Sequence, residues 1–443
     1  MPVTESSHDA AVAALRASYA AIPPGAPVRL AKPTSNLFRF RDSPGTPGLD
    51  VSGFDGVLRI DGTTAVVQGM TTYEDLVAAT LPHGMMPTVV PQLKTITLGG
   101  AVTGLGIEST SFRLGLPHEA VREMDIMTGD GEIVTASRDN EHADLFYGFP
   151  NSYGTLGYAV RLTIDLIPVK PFVKVRHVRF TDAAEAARAM AEVTDADFLD
   201  GTVFGPDEIY LSIGTFTDEA PYTSDYTGQK IYFRSVQERS VDYLTVHDYL
   251  WRWDTDWFWC SGAFGLHRPA VRRLWPAAKK RSDVYRKIVA WDKRVHVTAR
   301  LDRWTGKPPR EDVIQDIEVP TERLPEFLEF FHKEVGMSPI WLCPLKAQEK
   351  WPLYPLEPGR SYVNVGFWGT VPQQPGSLPD HYNRRVERVV DSLDGHKSLY
   401  STSFYARDEF WRHYDGKTYQ ALKERYDSGG RLYDLYDKCV RGT

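Results

Sequence analysis

The sequence has 443 residues, 42% hydrophobic and 25% charged, with a net charge of −7. That length suggests two domains of a globular chain, and the acidic balance excludes a nucleic-acid binder with a wholly basic surface. Cys260, Cys343 and Cys439 are scattered, without zinc spacing, and read as reduced thiols. No metal site and no nucleic-acid partner are therefore expected. The N-terminus lacks the pattern of a signal peptide, and no run of about 18 apolar residues occurs. The expected location is cytoplasmic.

In chain order, the N-terminus reads as a short amphipathic helix stopped by Pro23-Pro24-Gly25. GVLRI and TAVVQG flank Asp61-Gly62, a hairpin signal. Thr71 to Glu74 has capping-box spacing and opens a helix to about Leu81. A second hairpin turns at Gly129-Asp130-Gly131, and GYAVRLTIDLIPV is a long alternating strand ending at Pro168. Beyond it, FVKVRHVRF, DEIYLSIGTF, DVIQDIEV, PIWLCPL and SYVNVGFWG read as strands. DAAEAARAMAEV and TERLPEFLEFFHKEV read as helices, and an aromatic, helix-rich insertion fills residues 243–300. The tail from Leu399 mixes one strand with helical RDEFWRHYDGKTYQALKERY. The pattern predicts an α+β chain in two parts.

The stretch TITLGGAVTGLGIEST, Thr95 to Thr110, has four glycines in sixteen residues. It is too glycine-rich for a stable helix or strand, so the backbone turns sharply there or something lies close against it. Gly104 and Gly106 match the start of a dinucleotide fingerprint, but Ser109 stands at its third glycine and no helix period follows. A Rossmann site is excluded.

With its flanks, PTVVPQLKTITLGGAVTGLGIESTSFRLGLPHEAV, DGEIVTAS and DLFYGFPNSYGTLGYAV, this stretch resembles the flavin-binding (PCMH-type) domain of the vanillyl-alcohol-oxidase superfamily. The resemblance implies FAD along Gln92, Thr97, Gly99, Gly100, Gly104, Gly106, Ile107, Glu108, Ser109 and Ser111, with Thr110 as a further hydroxyl. It implies a second contact at Gly154, Thr155 and Gly157, and an early phosphate loop at Lys32, Thr34, Ser35 and Asn36. Residues 28–41 contain no histidine, and His118 lies outside the usual attachment motif, so the FAD is expected to be non-covalent, with His118 as a further contact.

PIWLCPL at 339–345 and SFYARDEFWRHYDGKTYQALKERY with LYDLYDKC at 403–439 are similar to the delta-24-sterol reductase (Diminuto/seladin) branch. The similarity runs from about residue 50 to the C-terminus. It implies 1–27 as an N-terminal arm, 28–170 as the FAD-binding domain, 171–394 as a substrate (cap) domain, and 395–443 as a segment returning to the flavin. It also implies reduction of an unactivated carbon–carbon double bond on a lipid, with NADPH as electron source. The family's N-terminal membrane segment has no counterpart in this sequence. Shorter bacterial relatives reduce a methylene branch on a fatty-acyl chain, and the expected substrate is such a 10-methylene acyl phospholipid, supplied by a methyltransferase. A sterol side chain, and an alcohol on a sugar or polyprenyl-phosphate sugar, are the alternatives.

Such chemistry needs a proton donor, a dry channel and an anchor for anionic reduced flavin. Arg407 is the expected anchor. His247 and Asp256, with Asp248, Asp254 and Tyr249, are the expected proton-donor candidates, while Trp251, Trp253, Trp257 and Trp259 read as core or as channel wall. From Arg268 to Arg294, ten Lys/Arg face two Asp, against the acidic trend of the chain. Residues 268–294 read as a solvated face, as a site for the 2′-phosphate of NADPH, or as a patch for an anionic membrane surface. In the membrane reading Arg272, Arg273, Lys279 and Lys280 are the expected contacts, with Trp275 and Trp291 as anchors.

Overall fold

A computed structural model describes residues 3–32, 38, 48–295, 304, 306 and 308–442. Its first half is a six-stranded antiparallel sheet in the order β1-β2-β6-β4-β5, with β3 also on β6. The strands are β1 (Val57–Asp61), β2 (Thr64–Gln68), β3 (Met85–Pro87), β4 (Val121–Met127), β5 (Ile133–Ser137) and β6 (Tyr158–Pro168). Both expected hairpins form: Asp61 pairs Thr64, and Met127 pairs Ile133. The helices of this half are α1 (Glu5–Ala20), α2 (Tyr73–Thr80), α3 (Leu98–Gly104), α4 (Ser111–Leu114) and α5 (Ala143–Gly148). The cap of α2 is Thr72, whose side chain accepts from Asp75 N, one residue later than the spacing predicts.

The glycine stretch departs from its expectation, because its first part is the helix α3. Thr97 caps it, and burial of Leu98, Ala101 and Val102 offsets the low helix propensity of glycine. Gly99 is required by the fold itself. Its N–H donates to Gly69 O at 2.9 Å, and a Cβ there would stand 2.7 Å from the same oxygen.

The second half is an eight-stranded antiparallel sheet in the order β10-β7-β9-β8-β12-β13-β11-β14. Its strands are β7 (Phe172–Phe180), β8 (Phe198–Gly205), β9 (Glu208–Thr217), β10 (Val241–Thr245), β11 (Arg310–Pro320), β12 (Ile340–Leu345), β13 (Tyr362–Pro372) and β14 (His396–Lys397). The helices that follow α5 are α6 (Ala183–Glu192), α7 (Tyr232–Glu238), α8 (Val246–Leu250), α9 (Pro269–Leu274), α10 (Ser282–Val295), α11 (Leu324–Phe330), α12 (His381–Ser392), α13 (Arg407–His413) and α14 (Gly416–Tyr426). The tail's expected single helix is broken at Asp415, whose side chain caps α14 by accepting from Thr418 N. Its strand, β14, precedes Leu399.

The two faces of this sheet differ. Leu199, Val203, Leu211, Val313, Ile317, Leu342, Val363 and Val365 point to one side and bury Leu324, Phe327 and Val386 of α11 and α12. By strand alternation Asp200, Cys343, Asn364, Trp368, Asp316 and Glu318 point to the other. There Phe198, Trp341 and Cys343 share one core with Val102, Tyr153 and Leu156 of the first half. The C-terminal segment lies across the first half: Gly129 N donates to Tyr426 O at 2.9 Å and Lys438 Nζ to Tyr153 O at 2.6 Å.

Candidate active site

The turn after α3 brings Glu108 to the contact between the sheets. Gln92 Nε2 and Ser109 N both donate to Glu108 Oε1, while Glu108 N donates to Ser111 Oγ at 3.0 Å. Glu108 Oε2 is buried without a partner, as are Gln92 Oε1, Thr110 Oγ1 and Asn151 Oδ1. Ser109 O accepts from Leu199 N of β8 at 2.7 Å, which ties this turn to the second sheet.

Asp200 points from β8 toward Glu108. Its Oδ2 accepts from Arg252 at 2.8 Å and from Trp341 Nε1 at 3.3 Å. Arg252 lies 3.8 Å over the Tyr249 ring, and its other arm donates to Tyr249 O at 2.8 Å. Because Asp200 already neutralises Arg252, no whole cation is left for Glu108. Burial pushes the Glu108 carboxyl up to about 8, against the pull of Arg252. It holds a proton at neutral pH.

Further along the same face, Asp316 Oδ1, Glu318 Oε2 and both amide atoms of Asn364 are buried without a well-formed hydrogen bond, with Asn364 beside Asp316 and Tyr354 beside Glu318. Burial raises Asp316 to about 7 and Glu318 to about 8. A Cβ on Gly366 would stand 2.5 Å from Asp316 Oδ1 and 2.6 Å from the Trp368 ring, so glycine leaves room for both. Between the acids runs an aromatic wall. Phe258 meets Trp368 at 4.5 Å and Trp341 at 5.4 Å between ring centroids, and Trp259 meets Trp368 at 5.5 Å. Trp368 Nε1 donates to Tyr400 OH at 2.6 Å.

The three residues expected to carry catalysis are not brought together. Arg407 is exposed at the first turn of α13 and faces Asp434 and Asp437 at 3.9 and 3.8 Å, away from the buried acids. His247 is 55% exposed and pairs with Asp248 at 3.0 Å. Asp256 is buried, but both its oxygens accept from Arg272, at 2.6 and 3.1 Å, which makes it a strut of the insertion. Asp254 is another strut, accepting from Lys94 N and Ser282 Oγ. Tyr249 alone of that group reaches the site, with its hydroxyl 3.5 Å from Ser109 Oγ. Trp251, Trp253 and Trp257 are buried, and Trp259 is half-buried on the wall.

Of the expected cofactor contacts, Thr34, Ser35 and Asn36 lie outside the described residues, and Lys32 is half-buried with Nζ 3.5 Å from Met70 Sδ. Thr97 caps α3, Gly99, Gly100 and Gly104 lie on it, Gly106, Ile107, Glu108 and Ser109 lie on the turn after it, and Ser111 opens α4. Gly104 is joined to the Gly154–Gly157 loop, since Tyr153 OH donates to its carbonyl at 2.6 Å and Gly154 N donates to Thr103 Oγ1 at 3.1 Å. Thr155 is buried there, with its hydroxyl donating to Ser152 O. His118 is fully buried with its ring 4.5 Å from that of Trp351, and burial lowers it to about 3, so it stays neutral. Sequence reasoning missed Asp200, Arg252, Asp316, Glu318 and Asn364. The available signal was a polar side chain inside an otherwise apolar strand, as in YVNVGFW.

Unpartnered buried acceptors and donors on both sides of one seam, beside an aromatic wall, fit a large, partly polar planar ligand such as a flavin. Residues 3–137 match the family model described as "FAD binding domain". The chain is 27% identical to the Delta(24)-sterol reductase of Arabidopsis thaliana over 89% of its own length and 76% of that protein. It is 27% identical to the Delta(24)-sterol reductase of Homo sapiens over 87% of its length and 76% of that protein. Cytokinin dehydrogenase 7 of Oryza sativa subsp. japonica is 34% identical over 26% of the chain and 22% of that protein. Fold and site define an FAD-dependent oxidoreductase. The chain is similar to the PCMH-type FAD-binding superfamily in its first third and to delta(24)-sterol reductases along most of its length.

Proposed function

We propose that this chain reduces an isolated, alkyl-substituted carbon–carbon double bond in a lipid, and that a sterol-type side chain is the better-supported substrate. The relatives matched along most of their length carry the name Delta(24)-sterol reductase. The 10-methylene acyl chain expected from the sequence, and the methyltransferase that would supply it, have no such support. NADPH is the proposed electron source.

One observation carries the reading: Glu108 is a buried acid pushed up to about 8 by burial, beside the Arg252–Asp200 pair, and Asp200 in turn accepts from Trp341 of the aromatic wall. The α3 stretch Thr97–Gly106, with Lys32 and the Gly154–Gly157 loop, is the proposed cradle of FAD. Reduced flavin, when bound, supplies a hydride to the more substituted carbon of the alkene. Glu108 Oε2 delivers its proton to the less substituted carbon. The π pair becomes the new C–H bond, and a tertiary cation is left. The Trp341 and Trp368 rings of the wall would lie near that charge, an attraction worth about 1–2 kcal/mol where water is absent. Gln92 and Ser109 hold Oε1 and so keep the proton on Oε2.

The test is turnover of the purified protein, loaded with FAD and supplied with NADPH, on a Δ24-sterol and on a 10-methylene acyl phospholipid. Gain of two hydrogens by the sterol is the expected result. Saturation of the acyl chain alone would reverse the substrate assignment, and oxidation of an alcohol instead would remove the reductase reading.

A further inference from the structure

The insertion between β10 and β11 carries an outer surface that the double-bond chemistry does not use. Among the described residues five large hydrophobic side chains are strongly exposed, and three of them, Leu274, Trp291 and Trp304, fall in this one insertion. α10 has two distinct faces. Tyr285 is fully buried and stacks on Phe264, whereas Lys287, Trp291 and Arg294, spaced at helical repeats, are exposed on the opposite side. Arg268, Arg273 and Lys279, on and around α9, are exposed as well. Arg268, Arg273, Lys279 and Arg294 form no ion pair among the described residues.

Burial also corrects the residues expected for this patch. Arg272 is 2% exposed and locked on Asp256, and Lys280 is 4% exposed with Nζ donating to Gly228 O at 3.2 Å. Neither meets a partner surface. Trp275 is half-buried, its Nε1 donating to Lys279 O at 3.1 Å.

The inner face of the insertion leads to the site. Tyr285, Val289, Phe264 and Trp257 share a cluster with Phe38. Phe38 stacks on Trp257 at 5.5 Å and meets Tyr400 edge-on at 5.8 Å, and Tyr400 is the partner of Trp368. A line of packed apolar side chains, most of them aromatic, joins the underside of α10 to the aromatic wall.

We propose that the outer face of α9 and α10 docks on the surface of an anionic phospholipid bilayer. Trp291 and Leu274 sit at the headgroup level, and Arg268, Arg273, Lys279 and Arg294 lie against lipid phosphates. The occupant follows from charge and shape. A cationic helix stripe centred on an exposed indole, in a chain of net charge −7, matches a negatively charged interface with an apolar interior. Docking does not depend on which lipid bond is reduced.

The flavin-loaded protein is sedimented with vesicles of phosphatidylcholine alone and of phosphatidylcholine mixed with phosphatidylglycerol. Binding to the mixed vesicles only, released by high salt, is expected. Trp291→Ala should weaken partitioning about tenfold. The combined variant Arg268→Glu, Arg273→Glu, Lys279→Glu and Arg294→Glu should abolish it. Lys333→Glu, behind the eight-stranded sheet, should change nothing. Flavin content confirms that each variant is folded. Equal binding by the combined variant at low salt, equal binding to neutral vesicles, or no binding by the unaltered protein would each overturn the proposal.

Discussion

Arg252 and Asp200 meet at 2.8 Å with each side chain 1% exposed, and the Glu108 carboxyl lies beside the pair. The ion pair is closed on itself, so the neighbouring acid is left without a full counter-charge and stays protonated. Replacing Arg252 by Met leaves Asp200 a lone buried anion. The expected cost is about 3–5 kcal/mol, read as a fall in the urea midpoint. Adding Asp200→Asn should recover a large part. A single variant as stable as the parent would show that the pair is not buried in solution.

Glu108→Gln keeps the acceptor for Gln92 and Ser109 but removes the proton. It should lower kcat by about 10²–10⁴ while FAD content is retained. In the parent the rate should be present below about pH 8 and lost as pH rises through it, since the acid form is the active one. That alkaline limb should vanish from the residual rate of the variant. An unchanged limb would assign it to another group, with Asp316 and Glu318 next in line.

The same acids shape stability. Glu108, Glu318 and Asp316 have folded values raised by burial to about 8, 8 and 7, above the ordinary carboxylate range. The folded chain therefore holds protons that the unfolded chain has already released. Their contribution is fully present below about pH 4 and is lost as pH rises through about 7–8. Thermal unfolding should occur at a lower Tm at about pH 9 than at about pH 6. Glu108→Gln or Glu318→Gln should flatten the slope. Parallel slopes for parent and variants would contradict the burial of these groups.

No histidine lies in residues 28–41, and His118 is enclosed against Trp351. Acid precipitation should therefore release all the flavin into the supernatant. Yellow colour retained by the washed pellet would show a covalent link.

The local elements were largely legible. Both hairpins, the long strand β6 and the helix α6 follow from turn residues and periodicity. The strand β8 was not, because Asp200-Gly201 reads as a turn inside FLDGTVFG, whereas the structure buries Asp200 against Arg252. Strand alternation also misleads in DVIQDIEV. Asp316 and Glu318 look like a solvated edge until β13 and the C-terminal segment cover them. Arg407 shows the converse. Its motif is legible, but its facing partners Asp434 and Asp437 are brought to it only in three dimensions.

The most direct test of the central claim is a single turnover without oxygen, in heavy water. Flavin-loaded protein is reduced chemically and mixed with a Δ24-sterol. The expected result is return of the oxidised flavin spectrum and one deuterium on each carbon of the former double bond, on the less substituted carbon from Glu108 and on the more substituted one from reduced flavin, whose transferable hydrogen exchanges with solvent. Flavin that stays reduced in the presence of the alkene, in a protein whose oxidised flavin is instead bleached by an alcohol, would contradict it.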